Sequence, residues 1–232
     1  MKSPFESDYH EHYTSGDNFI RRFARNRLRL TPRVRPLFRH IRDLQEHASV
    51  LDVGCGTGGL LELIEGENPG LSLFGLDLTR PAGFRAHSAF VAGSALALPF
   101  RDASFEVVLC AHVLEHLADP FVALGELRRV AVADGLVYVE TPSHRSVAFG
   151  FGHSFWDDPT HVRPYSPEAL RRAMQHSGLR PVAWGIKRSW AGILLGLPYA
   201  VVGAALGDTA AREIFAANAF GFVAYGIGRR DA

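Results

Sequence analysis

Two carboxylates and a glycine-rich turn form the part of the sequence best suited to hold a small ligand. Residues 50–59 have the composition of a short buried strand that leads into a turn and then a helix. Glycines at 54 and 56 permit backbone angles denied to other residues, and the helix end directs N–H groups at the turn. Asp52 precedes the turn directly, where a carboxylate repels a pyrophosphate but suits a cationic ligand. Asp77 follows the next apolar run, and an acid there can accept hydrogen bonds from ribose hydroxyls.

The spacing Asp52-x-Gly-Cys-Gly-Thr-Gly resembles the first motif of the class I S-adenosylmethionine-dependent methyltransferases. Three further stretches, at residues 92–108, 112–120 and 158–168, resemble family segments in the same order along the chain. The resemblance covers roughly residues 50–178 and the last strand. It implies an α/β fold with a Rossmann-like, seven-stranded, mostly parallel sheet flanked by helices, in which the last strand is antiparallel. It also implies S-adenosyl-L-methionine as the cofactor.

The resemblance assigns cofactor contacts residue by residue. The first motif packs against the methionine part of the cofactor, the acid after the second strand holds the ribose, and the next side chain covers the adenine. Ser94 stands where the family has an aspartate that accepts from the adenine amino group, so we expect adenine recognition weakened by about 1 kcal/mol. The implied cofactor residues are Asp52, Gly54, Cys55, Gly56, Asp77, Leu78, Ser94, Ala95, Ala111 and His112.

Histidines and aromatic residues after the fourth and fifth strands are candidates for the chemistry and for the acceptor. His112, at the exit of the fourth strand, is expected to face the reactive sulfonium. His161 is a candidate general base, since an unperturbed imidazole can take a hydroxyl proton near neutral pH; a hydrogen bond that braces its loop is the alternative. The candidate acceptor contacts are His144, Trp156, Arg163 and Tyr165.

Residues 112–116 leave a metal site open as an alternative. If this stretch is helical, His112, Glu115 and His116 share one face, and some cation-dependent methyltransferases use a similar acidic and histidine stretch with a distant histidine. His144, His153 or His161 could complete such a set. Because the first position departs from that pattern, we expect Glu115 and His116 to be structural and no metal to be bound.

The chain divides into an N-terminal helical cap and one larger domain. We expect the cap at residues 1–46, with an arginine-rich stretch that either faces solvent or binds an anionic substrate. Residues 47–232 form the cofactor-binding domain, with an irregular substrate loop at 143–165. An apolar insert at 190–217 contains a run at 191–207 that is too short and glycine-rich to span a membrane but could contact its surface.

Composition excludes several classes of protein. The 232 residues are 47% hydrophobic with a net charge of +1, which favours one sizeable core and gives no general attraction to nucleic acid. The two cysteines, Cys55 and Cys110, fall within apolar elements and suggest a reducing compartment. With no apolar leader at the N-terminus, we expect a cytoplasmic protein, monomeric or homodimeric.

The functional prediction is methyl transfer from S-adenosylmethionine, in particular O-methylation of a small molecule or glycan precursor. Two alternatives remain at this stage. One is a non-catalytic module that binds the cofactor, which the Ser94 departure allows. The other is a nicotinamide-dependent oxidoreductase, which the glycine pattern allows but Asp52 disfavours.

Overall fold

Strands and helices alternate along most of the described chain. The computed structural model describes residues 35–84, 88–148, 154–188 and 221–231. The strands are β1 Ser49–Val53, β2 Ser72–Asp77, β3 Ala89–Ala92, β4 Phe105–Ala111, β5 Ala131–Pro142, β6 Leu179–Lys187 and β7 Val223–Arg230. The α-helices are α1 Arg35–Asp43, α2 Gly59–Glu67, α3 Pro120–Val130, α4 Arg145–Ala148 and α5 Pro167–His176, and 3₁₀ turns cover Leu114–His116 and Phe155–Asp157.

The seven strands form one sheet in the order β3-β2-β1-β4-β5-β7-β6. In this order, the neighbouring pairs β3–β2, β2–β1, β1–β4 and β4–β5 are parallel, whereas β7 runs antiparallel to both β5 and β6. The predicted α/β fold, a mostly parallel seven-stranded sheet with an antiparallel last strand, is therefore confirmed. Because parallel strands end at the same edge, the residues that follow β1, β2 and β4 lie beside one another there.

Two apolar cores cover the two faces of the sheet. Neighbouring residues on a strand point to opposite faces, so Val50 and Leu51 enter different cores. One core packs strand residues against the apolar faces of α3 and α5, and the other packs them against α1 and α2. The central strands are apolar on both faces, as expected for a parallel sheet covered on both sides.

Helix caps follow the sequence signals closely. Asp119 caps α3 by accepting from the backbone N–H groups of Phe121 and Val122. Ser166 caps α5 by accepting from Ala169 N at 3.1 Å, and Pro167 begins the helix. Gly178 follows the helix with a φ of 79°, a left-handed angle that favours glycine.

Left-handed backbone angles occur at two non-glycine residues near β4 and β5. Residues 112–116 do not meet the helical condition set for a shared metal-binding face: His112 has a left-handed φ of 57°, and only Leu114–His116 form a 3₁₀ turn. Asp134, which also has a φ of 57°, lies within β5 where its pairing with β4 is irregular.

Several sequence predictions concern residues outside the described ranges. These are residues 1–34 of the proposed cap, the insert at 190–217 with its apolar run, and His153. Of the proposed cap, α1 is described, and its residues Leu37, Phe38 and Ile41 are buried in the core beside α2. Among the described helices, none has the length and hydropathy needed to cross a bilayer.

Arg129 on α3 holds the loop between β3 and β4 in place. Its guanidinium donates to the carbonyls of Leu98 and Phe100 at 2.9 and 2.8 Å and to the Asp102 carboxylate at 2.7 Å. It also pairs with Glu126, and these contacts raise the pKa of the guanidinium. We expect Arg129→Lys to lower the free energy of unfolding by about 2 kcal/mol, because an ammonium cannot reproduce this fork of donors. Chemical denaturation measures the change.

Arg172 provides the matched control. It pairs with Glu168 across one turn of α5, but its side chain is 74% exposed. Arg172→Lys should therefore change the free energy of unfolding by less than about 0.5 kcal/mol. Equal effects of the two substitutions would contradict the role given to Arg129.

Candidate active site

Backbone hydrogen bonds to β2 fix the start of the turn between β1 and α2, whereas no described side chain covers its apex. The backbone N–H groups of Gly54 and Cys55 both donate to the Leu76 carbonyl, at 2.7 and 3.0 Å. A Cβ at Gly54 would lie 2.2 Å from a methyl of Val113, so the chain passes too close there for any side chain. A Cβ at Gly56 would have no atom of the described residues within 4 Å. Within the described part of the chain, the turn thus presents bare backbone at its apex with no side chain over it.

Asp52 is a buried acid at the base of this turn. Its residue is 2% exposed, and burial raises the pKa of its carboxyl to about 8, with further contributions from Asp77 and Glu140. Burial also raises the pKa of the adjacent Cys55 thiol, so this sulfur is held in its neutral form. A carboxylate in these surroundings is stabilised by a nearby positive charge, which a cationic ligand could supply.

Asp77 ends β2 and reaches back toward the glycine turn. One carboxylate oxygen accepts from Gly56 N at 2.9 Å and the other from Leu78 N at 2.7 Å. Two backbone donors therefore fix the orientation of the carboxylate, while its other lone pairs can still accept hydrogen bonds.

Leu78, Ser94 and Ala95 lie beyond Asp77 along the sheet edge. Asp77 pairs in register with Ala92, so the segment that carries Ser94 begins next to it. The Ser94 hydroxyl accepts from Leu96 N at 3.2 Å, Ala95 is buried, and the Leu78 side chain remains 63% exposed. An exposed leucine beside a strand-end acid offers an apolar face to a planar ring.

Ala111 and His112 follow β4 on the other side of the glycine turn. The His112 backbone N–H donates to the Glu140 carbonyl at 3.0 Å, and its ring Nδ1 lies 3.3 Å from Oε1 of Glu115. Dehydration of the ring lowers the pKa of His112, but the carboxylates of Glu115 and Glu140 raise it by more. Glu115 itself is fully buried.

The four candidate acceptor residues occupy different environments. Trp156 is 56% exposed, and His144 lies in the turn after β5 with its backbone N–H on the Tyr165 carbonyl. The Arg163 guanidinium donates to the Ala118 carbonyl at 2.7 Å. Tyr165 is buried in the main core, and burial raises the pKa of its hydroxyl to about 12. The expectation of Tyr165 as an exposed face for an acceptor ring therefore needs correction, because the core encloses that ring.

His161 is braced inside its loop. Its Nδ1 lies 2.6 Å from the Phe155 carbonyl, and the Phe155 ring stacks on it with centroids 4.4 Å apart. The rings of His161 and His116 lie 4.7 Å apart between centroids. The bracing hydrogen bond considered for His161 is therefore present, and the ring also belongs to a cluster with His116 and Glu115.

Sequence reasoning missed a charged pair beneath the site. Glu140 on β5 is buried, accepts from the Tyr138 hydroxyl, and forms an ion pair with Lys187 at the end of β6. Burial would raise the pKa of Glu140, but Lys187 and His112 lower it below its usual value. The period-two pattern of β5 shows that Tyr138 and Glu140 share a face, but no local signal could pair Glu140 with a lysine on another strand.

Comparisons with known proteins agree with this geometry. The methyltransferase domain family matches residues 16–183. The demethylmenaquinone methyltransferase of Roseiflexus castenholzii is 40% identical over 114 residues, which cover 44% of this chain and 47% of that protein. The ajmaline N-methyltransferase of Rauvolfia serpentina is 28% identical over 110 residues, 43% of this chain and 38% of that protein. The chain thus spans about half the length, or less, of these curated relatives.

A solved structure extends the likeness to most of the fold. The SAM-dependent methyltransferase from Archaeoglobus fulgidus covers 90% of this chain and 94% of its own, with 25% identity and a TM-score of 0.61. These comparisons offer no support for a nicotinamide-dependent oxidoreductase or a non-catalytic module. Since the family match covers well over half of the chain, the protein belongs to the methyltransferase domain family, whose cofactor is S-adenosylmethionine.

Proposed function

We propose that this protein transfers a methyl group from S-adenosylmethionine to a small-molecule acceptor, and specifically to an acceptor oxygen. The observation that carries the proposal is the buried Asp52 next to an open glycine turn, with Asp77 oriented at the neighbouring strand end. The family match supports the reaction class.

The residues present fit the cofactor. The open apex at Gly56 leaves room for a ligand against the backbone, and Asp52 would favour the positive charges of the methionine end. Asp77 would hold the ribose hydroxyls and Leu78 would cover the face of the adenine. The segment from Ser94 to Ala95 would contact the edge of the adenine ring. When bound, the cofactor supplies an activated methyl group on a sulfonium.

With the methyl group already activated, alignment and water exclusion are the main tasks of the protein. His112 is well placed to help, because its Nδ1 faces the buried Glu115 and its Nε2 points away from that contact. In this proposal Nε2 of His112 accepts the proton of an acceptor hydroxyl. The exposed Trp156 and the Arg163 guanidinium would hold the acceptor, with His144 beside them.

The choice of a small acceptor rests on the surroundings of the site. The curated relatives are named for a quinone precursor and an alkaloid, which are both small molecules. An aromatic face at Trp156 and a cation at Arg163 suit a sugar or aromatic ring that carries an anionic group. A glycan precursor or a phenolic compound would fit these contacts, and its hydroxyl would then be the group that is methylated.

The test is methyl transfer from radiolabelled S-adenosylmethionine to a panel of acceptors. The panel should contain phenols, nucleotide-linked sugars, amines and a quinone precursor. The proposal predicts label in at least one hydroxyl acceptor, with S-adenosylhomocysteine formed in equal amount. Label confined to amine or carbon acceptors would overturn O-methylation, and binding without transfer to any class would overturn the enzymatic role.

Ser94 gives a prediction about cofactor affinity. We expect Ser94→Asp to tighten S-adenosylhomocysteine binding by about 10-fold, because a carboxylate accepts the adenine amino group more strongly than a hydroxyl does. Isothermal titration calorimetry measures the change. Ser94→Ala should weaken binding by less than about 10-fold. No gain with Ser94→Asp would show that the adenine lies elsewhere.

A further inference from the structure

A buried carboxylate and two histidine rings converge behind the exit of β4. One donor atom each from Glu115, His116 and His161 lies within 4.8 Å of the others. Glu115 and His116 belong to the 3₁₀ turn after β4, whereas His161 comes from the loop before α5. The backbone N–H of Val162 donates to the Glu115 carbonyl at 2.7 Å, which ties the two segments together.

The Glu115 carboxylate is short of partners for a group so deeply buried. The residue is fully buried, and among the described residues neither carboxylate oxygen accepts a hydrogen bond. Nδ1 of His112 stands 3.3 Å from Oε1, within ion-pair range, and is the one described cation facing this carboxylate in the ion pairs of the described residues. Leaving a buried carboxylate without donors costs several kcal/mol unless a charge nearby compensates it.

Each of the two histidine rings forms a hydrogen bond through its own Nδ1. Nδ1 of His161 lies 2.6 Å from the Phe155 carbonyl, which can only accept, so this nitrogen carries the hydrogen. Nδ1 of His116 lies 2.8 Å from the Thr160 hydroxyl. That hydroxyl donates its hydrogen to Asp158 at 2.6 Å, so Nδ1 of His116 is also a donor. In its neutral form each ring would therefore have its lone pair on Nε2, and Nε2 of His161 also lies 3.8 Å from Oδ2 of Asp158.

This arrangement matches the way proteins prepare histidine as a metal ligand. A metal-bound imidazole usually donates its second N–H to a carbonyl, a carboxylate or another oxygen, which fixes the tautomer and the ring orientation. Here both rings have such oxygens, from Phe155 and from the Thr160–Asp158 pair. The third donor is the carboxylate that lacks hydrogen bonds.

We propose that Glu115, His116 and His161 form a binding site for one divalent transition-metal cation. Two imidazoles and one carboxylate favour ions such as Zn²⁺, Co²⁺ and Mn²⁺ over Mg²⁺ and Ca²⁺, which prefer all-oxygen ligand sets. Three protein ligands leave at least one coordination position open. If the proposed function holds, that position takes the acceptor hydroxyl and favours its ionised form. The assignment makes His161 a ligand instead of a general base.

The test measures metal binding directly on untagged, chelator-treated protein. Titration calorimetry with Zn²⁺ and Mg²⁺, and metal content after dialysis, should show one Zn²⁺ per chain and at least about 100-fold weaker Mg²⁺ binding. Co²⁺ loading should give visible d–d absorption. His161→Gln and Glu115→Gln should each weaken Zn²⁺ binding by about 100-fold or more. Circular dichroism and thermal unfolding establish that each variant is folded.

His176→Gln is the matched control, because His176 is exposed on α5 and lies outside the cluster. It should bind Zn²⁺ as the native protein does. Native protein that retains no stoichiometric metal, or folded His161→Gln and Glu115→Gln that bind as tightly as the control, would overturn the site. If Zn²⁺ does not bind but S-adenosylhomocysteine does, the metal site falls and the proposed function stands. If Zn²⁺ binds but S-adenosylhomocysteine does not, the proposed methyl transfer is overturned and the metal site is retained.

Discussion

Replacing Asp52 with asparagine is expected to stabilise the fold and to weaken cofactor binding at the same time. Burial raises the pKa of this carboxyl from 3.8 to about 8, so between these values the folded state binds more protons than the unfolded state. Stability is therefore lost as the pH rises through this window. At pH 7 the folded protein keeps this carboxyl mostly protonated, whereas the unfolded chain ionises it; this difference costs at most about 4 kcal/mol, which a neutral amide avoids.

Denaturation at several pH values measures this effect. Asp52→Asn should gain about 2–4 kcal/mol near pH 7.5 and only about 1 kcal/mol near pH 5. Binding of S-adenosylhomocysteine should weaken by at least about 30-fold, because an amide cannot ionise to pair with the cationic end of the ligand as the carboxyl can. Asp43→Asn, at the exposed end of α1, should change stability by less than about 0.5 kcal/mol. A difference for Asp52→Asn that does not vary with pH would contradict the account.

Replacing Asp77 with asparagine is expected to weaken cofactor binding by about 100-fold or more, since charge-assisted hydrogen bonds to two ribose hydroxyls are lost. The amide keeps one acceptor oxygen for the Gly56 or Leu78 N–H, so the turn should retain much of its geometry. Asp77→Ala removes both acceptors and should reduce the affinity further. Calorimetry with S-adenosylhomocysteine measures both variants.

A matched comparison separates binding from folding. Asp102→Asn alters another acid at the end of a loop, where the partner is Arg129 and not the glycine turn. It should leave the affinity for S-adenosylhomocysteine unchanged. Full affinity in a folded Asp77→Ala protein would show that this acid does not hold the ribose.

The parallel part of the fold was predictable because its signals are local. Apolar strands, the glycine turn at Gly54 and the cap at Ser166 each act over a few residues, so the order of elements and the shared strand edge follow from the sequence. The conformation of His112 was not predictable in this way. Its left-handed backbone, with its amide on the Glu140 carbonyl, depends on the fit between two strands that are distant in sequence.

In the candidate site too, local sequence signals identify some residues, whereas the roles of others depend on tertiary contacts. Asp52 and Asp77 could be found from their positions after strands, but the orientation of Asp77 by Gly56 depends on tertiary contact. The sequence makes Tyr165 a candidate acceptor contact because its ring offers a flat face, but its burial follows from the packing of the core and has no local signal. The Glu140–Lys187 pair joins residues 47 positions apart and had no sequence signal.

A crystal structure of the protein with S-adenosylhomocysteine is the most direct test of the central claim. The account predicts the amino-acid end of the ligand against the backbone of the glycine turn near Asp52, and both ribose hydroxyls on Asp77. A ligand bound away from this strand edge, or an edge that admits NAD with its pyrophosphate on the turn in place of S-adenosylhomocysteine, would contradict it.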